Sequence, residues 1–289
     1  MKQTIRASVV RHSISLAGKS IITMSLTYPR FIHAEAKTHR VVSNTEGDNY
    51  ILHRDISLMD ERDLSRNAMS SRAVPVAKMI DQVRNDPAMP VHWGSNKPGM
   101  QAGAELINEA RNAAIAEWLN AAGNAAHTAE VMNELGLHKQ VVNRILEPFQ
   151  WMHTIVTATE WDNFYDLRCH AMAEPNMQAL AYCMRDAVAQ SMPVVRAEHL
   201  PYIDDLEIIA AKLSPEEARM VSAARCARVS YLNHDGTTPD VSKDLALATM
   251  LRDSKHASPF EHQAVAADDG YLRSRNFVGW RQHREALGL

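Results

Sequence analysis

Between Ser20 and Thr27 the chain alternates, with Ile22, Met24 and Leu26 separated by Thr23 and Ser25. A period of two sends successive side chains to opposite faces of a strand, so this stretch asks for a sheet with one apolar and one polar face. Tyr28-Pro29 closes it, because proline has no N–H to give to a ladder. Further along, the apolar residues recur mostly at helical spacing. Phe31, Ala34, Glu35, His39 and Val42 predict a helix over 31–42. Ile107, Ala110, Ala114 and Trp118 form a stripe that Gly123 would end, and a second helix follows from about Thr128 to Leu135 with Gly136 as its cap. A third runs from His138 to before Pro148. A fourth opens at Thr157-Ala158-Thr159-Glu160, which has capping-box spacing. Helical pattern returns at Gln178–Gln190, at Pro215–Tyr231 behind Ser214, and at Asp244–Leu251, while Gln263–Ala267 reads as a strand. Residues 1–19 show mixed periodicity and carry no assignment. The count gives an α+β fold, helix-rich, in one domain over 1–289. Residues 44–65, acidic and poor in large apolar groups, read as an inserted surface excursion.

Charge narrows the function. With 31 Lys+Arg against 34 Asp+Glu the formal net charge is -3, which argues against a nucleic-acid coat. The three cysteines, Cys169, Cys183 and Cys226, form no C-x-x-C pair and read as reduced thiols of a cytoplasmic protein. No stretch approaches the ~20 apolar residues of a spanning helix. The turn-rich segment 85–103 lacks both G-x-x-x-x-G-K-[ST] and G-x-G-x-x-G, so it is no phosphate loop of those kinds.

Three clusters could carry chemistry. Trp161, Phe164, Tyr165, Arg168 and Met172 share one helical face, and an arginine in an apolar stripe is costly unless paired. Such an arginine is a buried ion pair, a snorkelling side chain, or a planar fork held for phosphate or carbonyl oxygens. His39-Arg40 with Ser43, and Ser70-Ser71-Arg72 after Arg66-Asn67, offer the hydroxyls, amides and guanidinium that suit a phosphomonoester, although such clusters are common on ordinary surfaces. His256-Ala257-Ser258-Pro259-Phe260-Glu261-His262 packs two histidines and a glutamate together. Its spacing does not suit one helical face, and no H-E-x-x-H or cysteine set accompanies it, so no metal is assigned.

Together these residues resemble the flavin-dependent thymidylate synthases, whose signature is R-H-R-x-x-S-x-N-E-x-S-x-R-Y. Here the region reads Thr38-His39-Arg40-Val41-Val42-Ser43, then the insertion, then Arg66-Asn67-Ala68-Met69-Ser70-Ser71-Arg72-Ala73. Ala227-Arg228-Val229-Ser230 matches a second motif, A-R-V-S, and His256 to His262 matches a third, H-x-[ST]-P-F-E-H. Asn163 to Arg168 matches an asparagine followed by F-x-x-L-R, and Arg144 with Pro148 is similar to R-x-x-L-P. The resemblance spreads from about Tyr28 to Arg284. In ordinary members the A-R-V-S and H-x-[ST]-P-F-E-H motifs come first, so the chain looks circularly permuted. Arg281-Gln282-His283-Arg284 stands where the ordinary R-H-R would follow, either as a second basic cluster or as a tail.

The resemblance implies a helix-rich fold with an antiparallel sheet, homotetramers with shared active sites, and FAD, NADPH and methylenetetrahydrofolate as cofactors. By it, His39, Arg40, Ser43, Asn163, Ser230, His256, Ser258 and Glu261 contact the flavin. Glu35, Ser70, Ser71, Arg72, Arg144 and Arg168 bind the nucleotide, with Arg168 and Ser70 as catalytic residues. The implied reaction puts a one-carbon unit on C5 of a pyrimidine deoxynucleotide, dUMP to dTMP. Thr38, Ala68 and Ala73 depart from the signature's arginine, glutamate and tyrosine, and Thr159 sits where an arginine is common. Those departures keep open dCMP as the substrate, a hydroxymethyl product, or a non-catalytic nucleotide- or flavin-binding relative. A helical interaction protein would require every motif match to be accidental.

Overall fold

The computed structural model describes residues 2–33, 64–68 (backbone), 70–71, 74–229 and 240–289. The alternating stretch is a strand, and it lies at the middle of a five-stranded sheet. The strands are β1 (Arg6–Ile14), β2 (Ser20–Pro29), β3 (Leu64–Ala68), β4 (Trp151–Ala158) and β5 (Val194–Val195), in the order β3-β4-β2-β1-β5. All neighbours are antiparallel except β5, which joins β1 in parallel through Ser13↔Val194 and Ile14↔Val195. The unassigned N-terminus thus supplies β1, whose shift in register between Val9 and Arg11 blurs its period of two.

The two faces of β2 bury different things. Ile22, Met24, Leu26 and Tyr28 join Met152 and Val156 of β4 in one core, covered by two helices. In chain order the helices are α1 (Val76–Asn85), α2 (Asn108–Glu134), α3 (Lys139–Val142), α4 (Asp162–Arg168) and α5 (Pro175–Ala189). The cover comes from Trp161 and Phe164 at α4 and from Met177, Leu180, Ala181 and Met184 of α5. The C-terminal elements are β6 (Glu198–His199), α6 (Asp205–Ala210), α7 (Pro215–Ala227), α8 (Val241–Asp253), β7 (Ala264–Ala266), β8 (Arg273–Ser274), β9 (Phe277–Val278), β10 (Trp280–Gln282) and α9 (His283–Ala286). They contact the opposite face: Ile21 packs with Ala264, Phe277 and Trp280, and Ile155 with Cys226 and Val229. There β6, β7 and β10 form a three-stranded antiparallel sheet.

Several elements differ from the sequence reading. Gly123 does not end a helix, since α2 runs from Asn108 to Glu134. An interior glycine costs only ~1 kcal/mol relative to alanine, and Ala122, Ala125, Ala126 and Ala129 bury a continuous face against Met79, Ile80 and Val83 of α1. The real stop is Gly136 at φ +81, where Leu137 N–H donates to Met132 O and Gly136 N–H to Asn133 O, a Schellman closure. The helix expected from His138 is one α turn, α3, followed by a 3-10 segment, Asn143–Phe149, that accommodates Pro148. Thr157-Ala158 is not a cap: both residues end β4, and α4 starts at Asp162 without a side-chain cap. Ser214 is a cap, in a full capping box with Glu217, and α7 ends at Ala227, short of Tyr231. Arg30–Ile32 is a 3-10 turn. Beyond His33 the helix expected over 31–42 lies outside the described residues, as do residues 44–63 of the insertion, while Leu64 and Ser65 belong to β3. Among the described residues no helix is long and apolar enough to cross a membrane.

Two substitutions should rank as this packing dictates. Met24→Ala, in the fully buried core, is expected to cost ~2–5 kcal/mol. Ser214→Ala, which removes only the cap, should cost ~1 kcal/mol. Urea unfolding midpoints of both variants check the order.

Candidate functional site

β3 is the thread through the candidate site. It pairs with β4 from Leu64↔Ala158 to Ala68↔Thr154, and it lies against the Ser258–Glu261 turn. Two motifs nearly two hundred positions apart are therefore neighbours. Past Ala68 the chain reaches Ser70, exposed, and Ser71, only 3% exposed. The buried Asn143 fixes this stretch by donating its amide to Ser71 O at 2.7 Å and Val74 O at 3.0 Å.

Ser71 ends at a charged cluster. Its hydroxyl donates to Glu147 Oε1 at 2.8 Å, and the same oxygen accepts from Arg30 at 2.9 Å and Arg144 at 3.1 Å. The structure thus brings together Ser71 and Arg144, both expected at the nucleotide, and adds two residues the sequence reading missed. Arg30 belongs to no quoted motif, and Glu147 stands within the R-x-x-L-P segment at the place of its leucine. Their signal was positional only: Arg30 follows the proline that ends β2, and Glu147 lies between Arg144 and Pro148. Two guanidiniums on one carboxylate leave one net positive charge, as an anion site requires.

The Ser258–Glu261 turn is held from three sides. Phe260 is fully buried among Met220, Ala223, Ala224 and Ala248. Gln282 donates to Glu261 O at 3.0 Å, and Arg284 pairs with the Glu261 carboxylate. Within the Arg281–Arg284 run, Gln282 and His283 are buried, Arg284 is half-buried and Arg281 is exposed. His256 and Ser258 are exposed, whereas Glu261 is half-buried.

His262 makes the third anchor. Its Nδ1 lies 2.8 Å from Thr157 Oγ1, which lies 2.7 Å from Thr23 Oγ1. Thr23 Oγ1 is 2.8 Å from His199 Nε2, and His199 Nδ1 is 2.8 Å from Ser13 Oγ. All five side chains are fully buried. Burial pushes the His262 imidazole down to about 3 and holds His199 well below the ordinary histidine range, with nearby Arg11 acting in the same direction on His199. Both rings are neutral in the folded protein.

Arg168 is the last residue of α4 and 6% exposed. Trp161, Phe164 and Tyr165 accompany it as the stripe requires, but the helix ends before Met172, which is 61% exposed. Asn163 is exposed on the same helix. α4 follows the C-terminal end of β4, whereas Arg144 and Glu147 precede its N-terminal end. Glu35, His39, Arg40, Ser43, Arg72 and Ser230 lie outside the described residues, as does Thr38. Val229, just before Ser230, adopts φ +58, which a β-branched residue rarely does. It is held there at the end of α7, where buried Asp244 accepts from Arg225 at 2.9 Å and also pairs with Arg228. Two cavities among the described residues lie away from this cluster: one of about 350 Å³ includes Arg11, Arg196 and Leu200, and one of about 920 Å³ includes His92, Gln178 and Tyr182. Neither contains a motif residue.

No protein-family model matches the chain. No curated protein matches it. Among solved structures, the chain is similar to the UMP/dUMP methylase PolB from Streptomyces cacaoi bound with 5-Br UMP, at 15% identity and a TM-score of 0.45, over 65% of this chain and 90% of that one. The same methylase bound with 5-Br dUMP gives 12% identity and a TM-score of 0.45, over 65% and 91%. Likeness of that size assigns no activity.

The neutral histidines set an acid limit. Unfolded histidine takes up a proton near 6.5, the folded rings do not, and so the unfolded state binds more protons below that value. The contribution of these rings is therefore complete above pH 6.5 and falls as the pH drops, for His262 down to about 3, with a limiting slope of roughly 1–1.5 kcal/mol per pH unit for each histidine. Urea midpoints between pH 7 and 4 should show this slope, and His262→Gln should flatten it.

Proposed function

We propose that this chain transfers a one-carbon unit from methylenetetrahydrofolate to C5 of a pyrimidine deoxynucleotide, with dUMP the first choice, using FAD and NADPH. One convergence supports the reading. β3 leaves the Ser258–Glu261 turn and delivers Ser71 to Glu147 beside Arg144, so residues assigned to flavin and nucleotide on motif grounds are joined by one strand.

In this reading Ser70, Ser71 and Arg144, with Glu35 and Arg72, hold the nucleotide. Its phosphate meets the excess positive charge of the Arg30–Glu147–Arg144 cluster. Arg168 polarises the base, because a guanidinium held in a buried setting stabilises negative charge developing on a ring far better than one in water. The described part of the flavin site fits a polar cofactor: His256 and Ser258 expose their polar groups, and the buried His262 Nε2 lacks a partner among the described residues. Asn163 and Glu261 would join them, with His39, Arg40, Ser43 and Ser230. Bound flavin would supply the hydride that completes a methyl group.

No cysteine is suited to act as the nucleophile. Burial raises the Cys169, Cys183 and Cys226 thiols, and Cys226 is wholly enclosed, so little thiolate exists at neutral pH. That suits a reaction driven by a flavin rather than by thiol attack. Thr38 and Ala68, where the signature has arginine and glutamate, favour a second reading with dCMP as substrate or a hydroxymethyl product. A homotetramer with shared sites belongs to the same proposal.

Incubation with dUMP or dCMP, methylenetetrahydrofolate, FAD and NADPH, followed by mass analysis of the nucleotide, tests this. A gain of a methyl group on dUMP is expected; no modified product from either nucleotide sinks the reading. Arg168→Ala should lower turnover by ~10²-fold or more while the far-ultraviolet circular dichroism stays unchanged.

A further inference from the structure

The five buried side chains Ser13, His199, Thr23, Thr157 and His262 form an unbranched hydrogen-bonded line across β1, β2 and β4, with every link at 2.7–2.8 Å. Each link needs one donor and one acceptor, and each hydroxyl carries a single proton. Only two arrangements supply that with both threonine protons kept within the line; a threonine that accepted on both sides would leave its own buried proton without a partner in the line. If His262 Nδ1–H donates to Thr157, then Thr157 donates to Thr23 and Thr23 to His199 Nε2. His199 must then carry its proton on Nδ1 and donate to Ser13. If Ser13 donates instead, every link reverses, and both rings carry their protons on Nε2. In both of these arrangements the two histidines share one tautomer.

The consequence appears at the free end. His262 Nε2 is buried with no hydrogen-bond partner among the described residues, and a buried polar atom left unmatched costs ~1–3 kcal/mol. It is an acceptor in the first arrangement and a donor in the second. The adjoining turn carries Ser258 and Glu261. We propose that His262 is a ligand-orienting residue of this turn, and that the sense of its open nitrogen is set through Thr157, Thr23 and His199. A ligand group that donates selects one arrangement; one that accepts reverses the whole line without creating a charge. Only the naming of FAD as the ligand rests on the function proposed above.

Nitrogen-15 spectra of the histidine rings in the full chain at pH 7 test this, with His199→Gln and His262→Gln used for assignment. The expected result is the same tautomer at both positions and joint shifts of both rings when FAD is added. Thr23→Val should leave His262 responding and His199 silent, and Thr23→Ser, which restores the hydroxyl, should restore the joint response. Opposite tautomers in the unaltered chain, or a His262 shift that His199 does not share, overturn the coupling. FAD that binds by its absorbance but moves neither ring overturns the ligand-orienting role. Failure of FAD to bind at all counts against the flavin reading and the role given to His262 toward it, while the tautomer match still decides the coupling.

Discussion

The fold depends on β2 keeping two unlike faces while paired on both edges. Antiparallel ladders to β1 and β4 fix its register along nearly its whole length. A slip by one residue would turn Ile22, Met24 and Leu26 toward the C-terminal elements and expose Thr23 to an apolar core. Both sides forbid it. The apolar face is sealed by α4 and α5, and on the other face Thr23 has hydrogen-bond partners only when it stands opposite Thr157. Register, core and buried polar line are one constraint seen three ways.

That constraint also places the candidate site. β4 pairs with β2 and hands its other edge to β3, so the strand leading to Ser70-Ser71 is aimed by the central ladder. On the hydroxyl face, His262 reaches Thr157 because the turn before it is pinned by Phe260. Arg225 and Asp244, both fully buried, pair at the end of α7, where Val229 takes its unfavourable backbone conformation. A buried charge pair adds little net stability but is costly to break, which suits a joint that must hold strain before Ser230.

Legibility in the sequence followed how local each cause is. Strand β2, the cap at Ser214, the closure at Gly136 and the strand within Gln263–Ala267 were all readable, because alternation, capping and positive φ act over a few residues. Gly123 misled because the alanine face that carries α2 through it is a tertiary effect. Thr157 misled for the same reason: its hydroxyl is engaged by Thr23 and His262, 134 and 105 residues away, so it is not spare for a helix end. At the candidate site the motifs named Ser71 and Arg144 but gave no role to Glu147, which departs from the leucine of R-x-x-L-P and whose Oε1 both of them touch.

One oxygen of Glu147 accepts from three donors, and it does not hold them equally. Arg30 is 13% exposed and Ser71 is buried, whereas the Arg144 side chain is 58% exposed and binds across one turn. An exposed pair of that kind is worth ~0–1 kcal/mol, far less than a bidentate contact between a guanidinium and a phosphate. In the proposed site, then, Arg144 is the arm that can leave. Arg30 and Ser71 stay on the carboxylate, which keeps Ser71 and its backbone in place while Arg144 turns to an incoming anion. The cluster's single surplus charge is thus carried on the one member free to move.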